Sequence, residues 1–216
     1  MPTQCDASDR RFLFLLASSR RDGNAELLAR RAAAALPGAI AQCWLRLADL
    51  PLPPFDDVRH SGDGSYAMPT GHARTLLDAT LSATDLVFVA PLYWYGLPAS
   101  SKLYLDHWSG WMRVTGIDFK ARMAGKTMWV VCVYSDEDPN LAEPLFGTLR
   151  MTADYMGMRL GGLLLGQGNR PGDVLTDIVS LGQADGLFAA STEQGDAPDQ
   201  NDLCQNDLPA WENGPG

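Results

Sequence analysis

The chain has 216 residues, of which 46% are hydrophobic and 20% charged, which is typical of one globular domain of ordinary size. No apolar run approaches the ~20 residues of a membrane-spanning helix. The net charge is −9, and nothing in the sequence suggests a basic face for nucleic acid. The polar N-terminus does not have the pattern of an export signal, so we expect a cytoplasmic protein that binds neither membrane nor nucleic acid.

The acidity is concentrated at one end of the chain. Residues 192–216 hold six acidic residues and no lysine or arginine, which leaves 20 acidic against 17 basic residues elsewhere. The composition predicts three parts, which are an N-terminal extension (1–10), a folded domain (11–190) and an acidic, disordered tail (191–216).

The four cysteines are scattered and form no C-x-x-C pair. Their spacing argues against a zinc knuckle, an iron–sulfur cluster or a thioredoxin-type pair, and it fits a reducing compartment. Cys43 and Cys132 fall within strand-like runs, so we expect both to be small buried residues.

The first strand–helix unit begins at Arg11. The continuous apolar run 12–17 predicts a parallel strand buried on both faces, and Asn24 begins a helix that extends to about Leu36. Between them, residues 18–24 (SSRRDGN) offer what a phosphate needs, namely helix N-terminal amides, small hydroxyls, a glycine and a guanidinium. The spacing is neither that of a P-loop nor that of a dinucleotide fingerprint. A capped helix with surface arginines would show the same residues.

The second strand is predicted at 40–47, and a proline- and glycine-rich loop occupies 48–70 before a helix at 71–83. A loop of that length in a compact domain is often functional. It contains Asp56, Asp57 and His60, but no further metal ligand is close in the sequence, which favours a solvated loop over a metal site. His72 and His107 are interpreted as structural.

The third strand, 86–90, is followed by three aromatic residues and a glycine within Pro91–Gly96. In open α/β sheets, ligands bind at the C-terminal ends of the strands, and aromatic rings can stack on a planar ligand there. A helix-entry turn with buried aromatics is the alternative. A helix at 98–108 follows, with Pro98 near its first turn.

Large apolar side chains are concentrated just after this helix. They are Trp108, Trp111, Met112, Val114, Ile117 and Phe119. One helix face does not normally bury so much, which predicts a subunit contact. Packing inside the monomer is the alternative.

The remaining elements are strands at 127–133 and 159–165, a helix at 140–156 and a last helix that Asp173 could cap. Residues 166–172 (GQGNRPG) are interpreted as a turn at the edge of the ligand site. Five strands alternating with helices predict an α/β fold, with a five-stranded parallel sheet and helices on both faces.

Together the two loops resemble those of the NAD(P)H-dependent FMN reductase family, over about residues 11–190. The first family loop, S-x-R-x-x-[GS]-N-[ST], holds the FMN phosphate. It is matched by Ser18, Arg20, Gly23 and Asn24, whereas Ala25 replaces the usual hydroxyl residue. The resemblance implies a flavodoxin-like three-layer sandwich with these five residues at the phosphate.

The second family loop, P-x-Y-x-x-x-x-[PS]-x-x-[LF]-K-x-x-x-D, lies against the flavin ring. Pro91, Tyr93, Pro98, Lys102 and Asp106 match it, and Ser101 departs from it. The resemblance implies that the flavin is lined by Pro91, Leu92, Tyr93, Trp94, Tyr95 and Gly96. Lys102 and Asp106, four residues apart, are expected to pair on the helix rather than take part in chemistry.

The third family loop is usually glycine-rich and touches the pyrimidine side of the flavin, which places Ser135 at the cofactor. Here it carries Asp136, Glu137 and Asp138. Three acids near a phosphorylated cofactor would repel an anionic nicotinamide dinucleotide. Either these acids point to solvent, or nicotinamide use is weaker than the resemblance implies.

The resemblance implies an FMN-dependent oxidoreductase that moves electrons from NADPH or NADH to a small acceptor such as a quinone, azo compound or free flavin. It also implies a homodimer or homotetramer. Because the cofactor performs the chemistry, we assign no catalytic acid–base residue and no metal. Two alternatives are a flavodoxin-type carrier for a protein partner and a binding module that has lost the cofactor.

Overall fold

The computed structural model of the protein describes residues 10–192, the last three by their backbone alone. The expectations for the N-terminal extension and for most of the acidic tail lie outside these residues. All five predicted strands are present: β1 Arg11–Leu16, β2 Ala41–Arg46, β3 Asp85–Pro91, β4 Thr127–Tyr134 and β5 Arg159–Gln167. They form one parallel sheet in the order β2-β1-β3-β4-β5, which confirms the predicted fold class.

The helices are α1 Asn24–Ala33, α2 Gly71–Ser82, α3 Ala99–Trp111, α4 Phe119–Met123, α5 Glu143–Met156 and α6 Ile178–Ala184. Short 3-10 segments occupy Leu47–Asp49, Pro139–Ala142, Asp173–Thr176 and Leu187–Thr192. In this part of the chain no helix is long and apolar enough to cross a membrane.

The three central strands, β1, β3 and β4, are mostly apolar and buried because both faces of the sheet are covered there, whereas the edge strands β2 and β5 are partly exposed. Alternate strand residues contribute to two separate cores. One core packs against α2, α3 and α5, and the other against α1 and α6. The chain leaves β1 toward β2 and then returns to β3 on the other side. This change of direction opens a crevice beyond the ends of β1 and β3, where open α/β sheets bind ligands.

Some sequence predictions are wrong in detail. No pattern predicted the short helix α4, and Cys43 is exposed because β2 is an edge strand, whereas Cys132 is buried as expected. The last helix begins at Ile178 instead of Asp173. The Asp177 carboxylate caps this helix by accepting from the Ser180 amide at 3.1 Å. Asp173 instead accepts from the amides of Asn169 and Arg170, which precede it in the chain.

The aromatic residues at the end of α3 are packed inside the monomer, which is the alternative to the predicted subunit contact. Trp108 and Trp111 are buried within the monomer, where each packs edge-to-face on Tyr104 and Phe119. Gly110 permits this packing, because a Cβ there would lie 3.0 Å from the Tyr66 ring. The long loop that carries Tyr66 covers this end of α3 and supplies the area that one helix face could not bury.

Candidate active site

Hydrogen bonds join the loops at the C-terminal edge of the sheet. The Ser100 hydroxyl, at the start of α3, donates to the Ala17 carbonyl beyond β1 at 3.1 Å. The Leu92 amide donates to Val133 O at 2.8 Å, and the Gly168 amide to Tyr134 O at 2.9 Å. The loops after β1, β3, β4 and β5 therefore surround one crevice.

The loop of residues 18–23, which we call the phosphate loop, leads into α1 with free amide donors. The first intrahelical bond runs from Leu27 N to Gly23 O at 3.0 Å, and no side chain caps the helix. The amides of Asn24, Ala25 and Glu26 are thus left for a ligand, at the positive end of the helix dipole. Ser18 shapes the turn, because its hydroxyl accepts from the Arg20 amide at 3.1 Å.

Arg20 is the free cation of this loop. Its side chain is exposed and makes no hydrogen bond or ion pair with any residue that the structure describes. The neighbouring Arg21 is instead paired with Asp49 at 2.9 Å. Arg20 can therefore reach an anion at the α1 N-terminus without breaking an existing contact.

The side chain of Asn24 has a role that the sequence did not reveal. Its amide nitrogen donates to Arg170 O, and its oxygen accepts from the Gly172 amide, both at 2.9 Å. Only its backbone amide is left for a phosphate. Gly168 allows the close approach, since a Cβ there would lie 2.8 Å from the Asn24 nitrogen. The turn at residues 166–172 is thus hydrogen-bonded to the first residue of α1, directly after the phosphate loop.

The aromatic loop after β3 forms a tight turn. Tyr93 and Gly96 exchange backbone hydrogen bonds at 3.3 and 3.0 Å. Trp94 and Tyr95 between them have φ values of 48° and 63°, the left-handed region that a type I′ turn requires. Bulky residues rarely adopt this conformation, and such strain is concentrated at functional sites.

The rings of this turn are exposed, so the alternative of a buried helix-entry turn is wrong. Trp94 is 94% exposed, and Tyr93 and Tyr95 are about half exposed. Leu92 is half-buried and packs on the core, and Pro98 precedes the first residue of α3. Lys102 pairs with Asp106 at 2.5 Å, which confirms the predicted helical pair.

The third loop is acidic and exposed. The carboxylate of Asp136 accepts from the Glu137 amide at 2.7 Å, and that of Asp138 from the Asn140 amide at 2.9 Å. Burial and the charges of Asp177, Asp138 and Asp136 raise the pKa of Tyr134 above its ordinary value. Ser135 lies exposed between Tyr134 and these acids.

The acidic residues and histidines of the long loop do not cluster as metal ligands would. Residues 10–192 contain no group of three or more potential metal ligands. Hydrogen bonds from Arg59 lower the pKa of Asp57 to about 2. His72 and His107 bond the carbonyls of Pro51 and Pro53, at 3.3 and 2.9 Å, which holds this loop over α2 and α3. A groove of about 400 Å³ lies beneath it.

Comparisons with known proteins agree with this architecture. A family model described as "Flavodoxin-like fold" matches residues 10–174. The Bacillus subtilis protein named "Putative NAD(P)H-dependent FMN-containing oxidoreductase YwqN" is 32% identical over 174 residues, which are 80% of this chain and 93% of that protein.

Solved structures share the fold. The Trp repressor binding protein from Bacillus subtilis is 28% identical with a TM-score of 0.66, and the match covers 82% of this chain and 97% of that one. An FMN-dependent NADH-azoreductase from Bacillus anthracis, solved with FMN, has a TM-score of 0.60 over 84% of this chain and 98% of its own. Its identity is 16%, so the likeness shows the fold alone.

Proposed function

The chain belongs to the family with the flavodoxin-like fold, and we propose that it is an enzyme, an FMN-dependent oxidoreductase that transfers electrons from NADPH or NADH to a small-molecule acceptor. One observation carries the proposal. An uncapped helix N-terminus with a free arginine lies at the same sheet edge as a strained, exposed aromatic turn. This combination suits a ligand with a phosphate at one end and a planar ring at the other.

The residues present fit FMN. The phosphate would be held by Ser18, Arg20, Gly23, Asn24 and Ala25, the last two through their amides. The ring would be lined by Pro91, Leu92, Tyr93, Trp94, Tyr95, Gly96 and Ser135. When bound, FMN would supply the redox chemistry, which is hydride transfer from a nicotinamide and electron transfer to the acceptor. The protein binds the phosphate, orients the ring and shields one side of it with the aromatic turn. Residues 11–190 would constitute the FMN-binding domain, and we place the protein in the cytoplasm.

The test is spectroscopic. The protein is loaded with FMN and freed of excess, and NADH or NADPH is then added without oxygen. Rapid bleaching of the flavin absorbance, followed by reoxidation with a quinone or azo compound, is expected. A protein that does not retain FMN, or whose bound FMN neither nucleotide reduces, would contradict the proposal. Slow reduction by both nucleotides, with fast reduction by a protein partner, would identify an electron carrier.

The acidic third loop is proposed to set the nicotinamide preference. Its three acids would repel the extra 2′-phosphate of NADPH, so NADH should be preferred. The triple variant Asp136→Asn, Glu137→Gln and Asp138→Asn should lower the KM for NADPH more than that for NADH. This decrease in KM should become smaller at high salt, because salt screens the charges. Asparagine can still accept the local amide hydrogen bonds, so the loop should keep its shape.

The matched control neutralises three exposed acids near the other edge of the sheet, as Asp78→Asn, Asp154→Asn and Asp185→Asn. This variant changes the net charge by the same amount as the third-loop variant, but it should leave the ratio of the KM for NADPH to the KM for NADH unchanged. An unaltered ratio at low salt in the third-loop variant would mean that these acids do not face the nucleotide.

A homodimer is proposed through α3 and α5. On α5, Met151 is 70% and Tyr155 60% exposed, beside the partly buried Leu105 of α3 and Met112 directly after that helix. Apolar surface of this kind suits an isologous contact in which the same face of two copies meets. A homotetramer would need a second face.

Introducing a charge at this face should separate the subunits. Met151→Glu is expected to give a monomer by light scattering at micromolar concentration, because the new carboxylate would be buried without a partner. Val179→Glu, at a residue of α6 that is 71% exposed, is the matched control and should keep the dimer. If the unmodified protein is a monomer, the proposed assembly is wrong.

A further inference from the structure

Arg46 lies beneath the phosphate loop, although it belongs to a different part of the chain. It is the last residue of β2 and is almost fully buried. One guanidinium nitrogen, Nη1, donates to Ser18 O at 3.1 Å and to Arg20 O at 2.8 Å. A single side chain thus holds the carbonyl groups of two loop residues that lie two positions apart.

The buried charge of Arg46 is matched by Glu26, in the first turn of α1. Nη2 of Arg46 lies 2.5 Å from Glu26 Oε2, and the same oxygen accepts from the Asp22 amide at 3.2 Å. Burial alone would raise the pKa of Glu26. The hydrogen bonds and charges of Arg46 and Arg30 outweigh burial and hold that pKa below its ordinary value, so the carboxylate remains ionised. The pair therefore fixes the loop at Ser18, Arg20 and Asp22.

The direction of these contacts matters because a trans peptide is planar, with its C=O and N–H groups pointing in opposite directions. When Arg46 draws the carbonyls of Ser18 and Arg20 toward itself, the amides of Ser19 and Arg21 must point away from it. Neither amide has an acceptor among residues 10–192. Two more donors are thereby added to the free amides of α1.

We propose that Arg46 is a positioning residue that prearranges the phosphate loop, so that the Ser19 and Arg21 amides bind the phosphate of the cofactor. This inference rests on the proposed function. Arg46 itself does not need to touch the ligand. It contributes by keeping the amides in place before binding, which lowers the ordering cost of association. A purely structural ion pair between β2 and α1 would have no preference for a phosphorylated flavin.

The test compares the affinities of FMN and riboflavin, which differ only in the phosphate. In Arg46→Met, FMN should bind roughly tenfold more weakly, the cost of about one hydrogen bond to a charged group. The affinity for riboflavin should stay within about twofold of that of the unmodified protein, because riboflavin has no phosphate for the loop amides to bind. The expected result is a fall in the FMN/riboflavin affinity ratio. An equal loss for both ligands, or a loss for neither, would overturn the proposal.

Arg30→Met is the matched control. Arg30 also contacts Glu26, at 2.7 Å, but it is half exposed and bonds no loop carbonyl, so the ratio should not change. If Arg46→Met does not fold, the FMN/riboflavin affinity ratio is measured in Arg46→Lys instead. Lysine keeps the charge opposite Glu26 but lacks the planar fork that reaches two carbonyls. A lowered ratio in that variant supports the proposal, and an unchanged ratio contradicts it. Failure of the unmodified protein to bind FMN would instead refute the proposed function.

Discussion

Replacing Arg20 with alanine is expected to weaken FMN binding roughly ten- to a hundredfold. The change removes a charge-assisted hydrogen bond to the phosphate, which typically contributes about 1.5–3 kcal/mol, and each 1.4 kcal/mol corresponds to about a factor of ten in affinity. Arg20 has no other partner among the residues described, so no structural contact should be lost with it. Flavin fluorescence titration or calorimetry measures the effect directly.

Arg31→Ala is the control for this variant. Arg31 lies in the last turn of α1 and pairs on the surface with Asp185, so its removal should leave FMN affinity unchanged. Riboflavin provides the second control, because it should bind Arg20→Ala and the unmodified protein equally. If riboflavin bound the unmodified protein as tightly as FMN does, the assignment of the phosphate loop would be wrong.

The largest loss of stability is expected from Asp85→Asn, at the opposite edge of the sheet. The Asp85 carboxylate is buried and accepts four hydrogen bonds, two from Arg10 and one each from Thr84 and Trp129. Asparagine offers only one oxygen and leaves the Arg10 charge without a counter-ion. Only the Asp85 side of this pair is fully buried, and breaking a largely buried pair in this way typically costs about 3 kcal/mol.

A loss of that size should lower the melting temperature by roughly 6–12 °C in a protein of this length. Asp185→Asn is the matched control, since the Arg31–Asp185 pair is half exposed and such pairs contribute at most about 1 kcal/mol. FMN affinity measured well below the melting temperature should be unaffected, because Asp85 begins β3 and the phosphate loop lies beyond the other end of the sheet. A melting temperature within about 2 °C of the unmodified protein would mean that the network does not stabilise the fold.

The location of the candidate site could be predicted because its signals are local. Apolar runs, and for the second strand a loose alternation, identified all five strands, and the segments 18–24 and 91–96 each follow a strand directly. Parallel strands end at the same edge of their sheet, so the two segments had to come together once the fold class was known. The Lys102–Asp106 pair was predictable for the same reason, since residues four apart share one face of a helix.

Other features depend on contacts between residues far apart in the sequence. Arg46 and Ser18 are separated by 28 positions, and Asn24 and Gly172 by 148, so no local pattern pairs them. Likewise, the sequence shows large apolar residues around the end of α3, but it does not show which other residues cover them. Trp111 is buried inside the monomer against Tyr104 and Phe119, while Met151 on α5 stays exposed.

The sequence by itself determined the α/β class, the five strands and the two candidate loops, because periodicity and loop composition are properties of neighbouring residues. The tertiary structure alone decided the break in the last helix, the exposure of Cys43 and the left-handed conformations of Trp94 and Tyr95. It also decided that Arg46 bonds the carbonyls of the phosphate loop and that Asn24, directly after the loop, bonds Arg170 and Gly172. These features follow from which segments meet in space, and the free energy of those contacts overrides local preference.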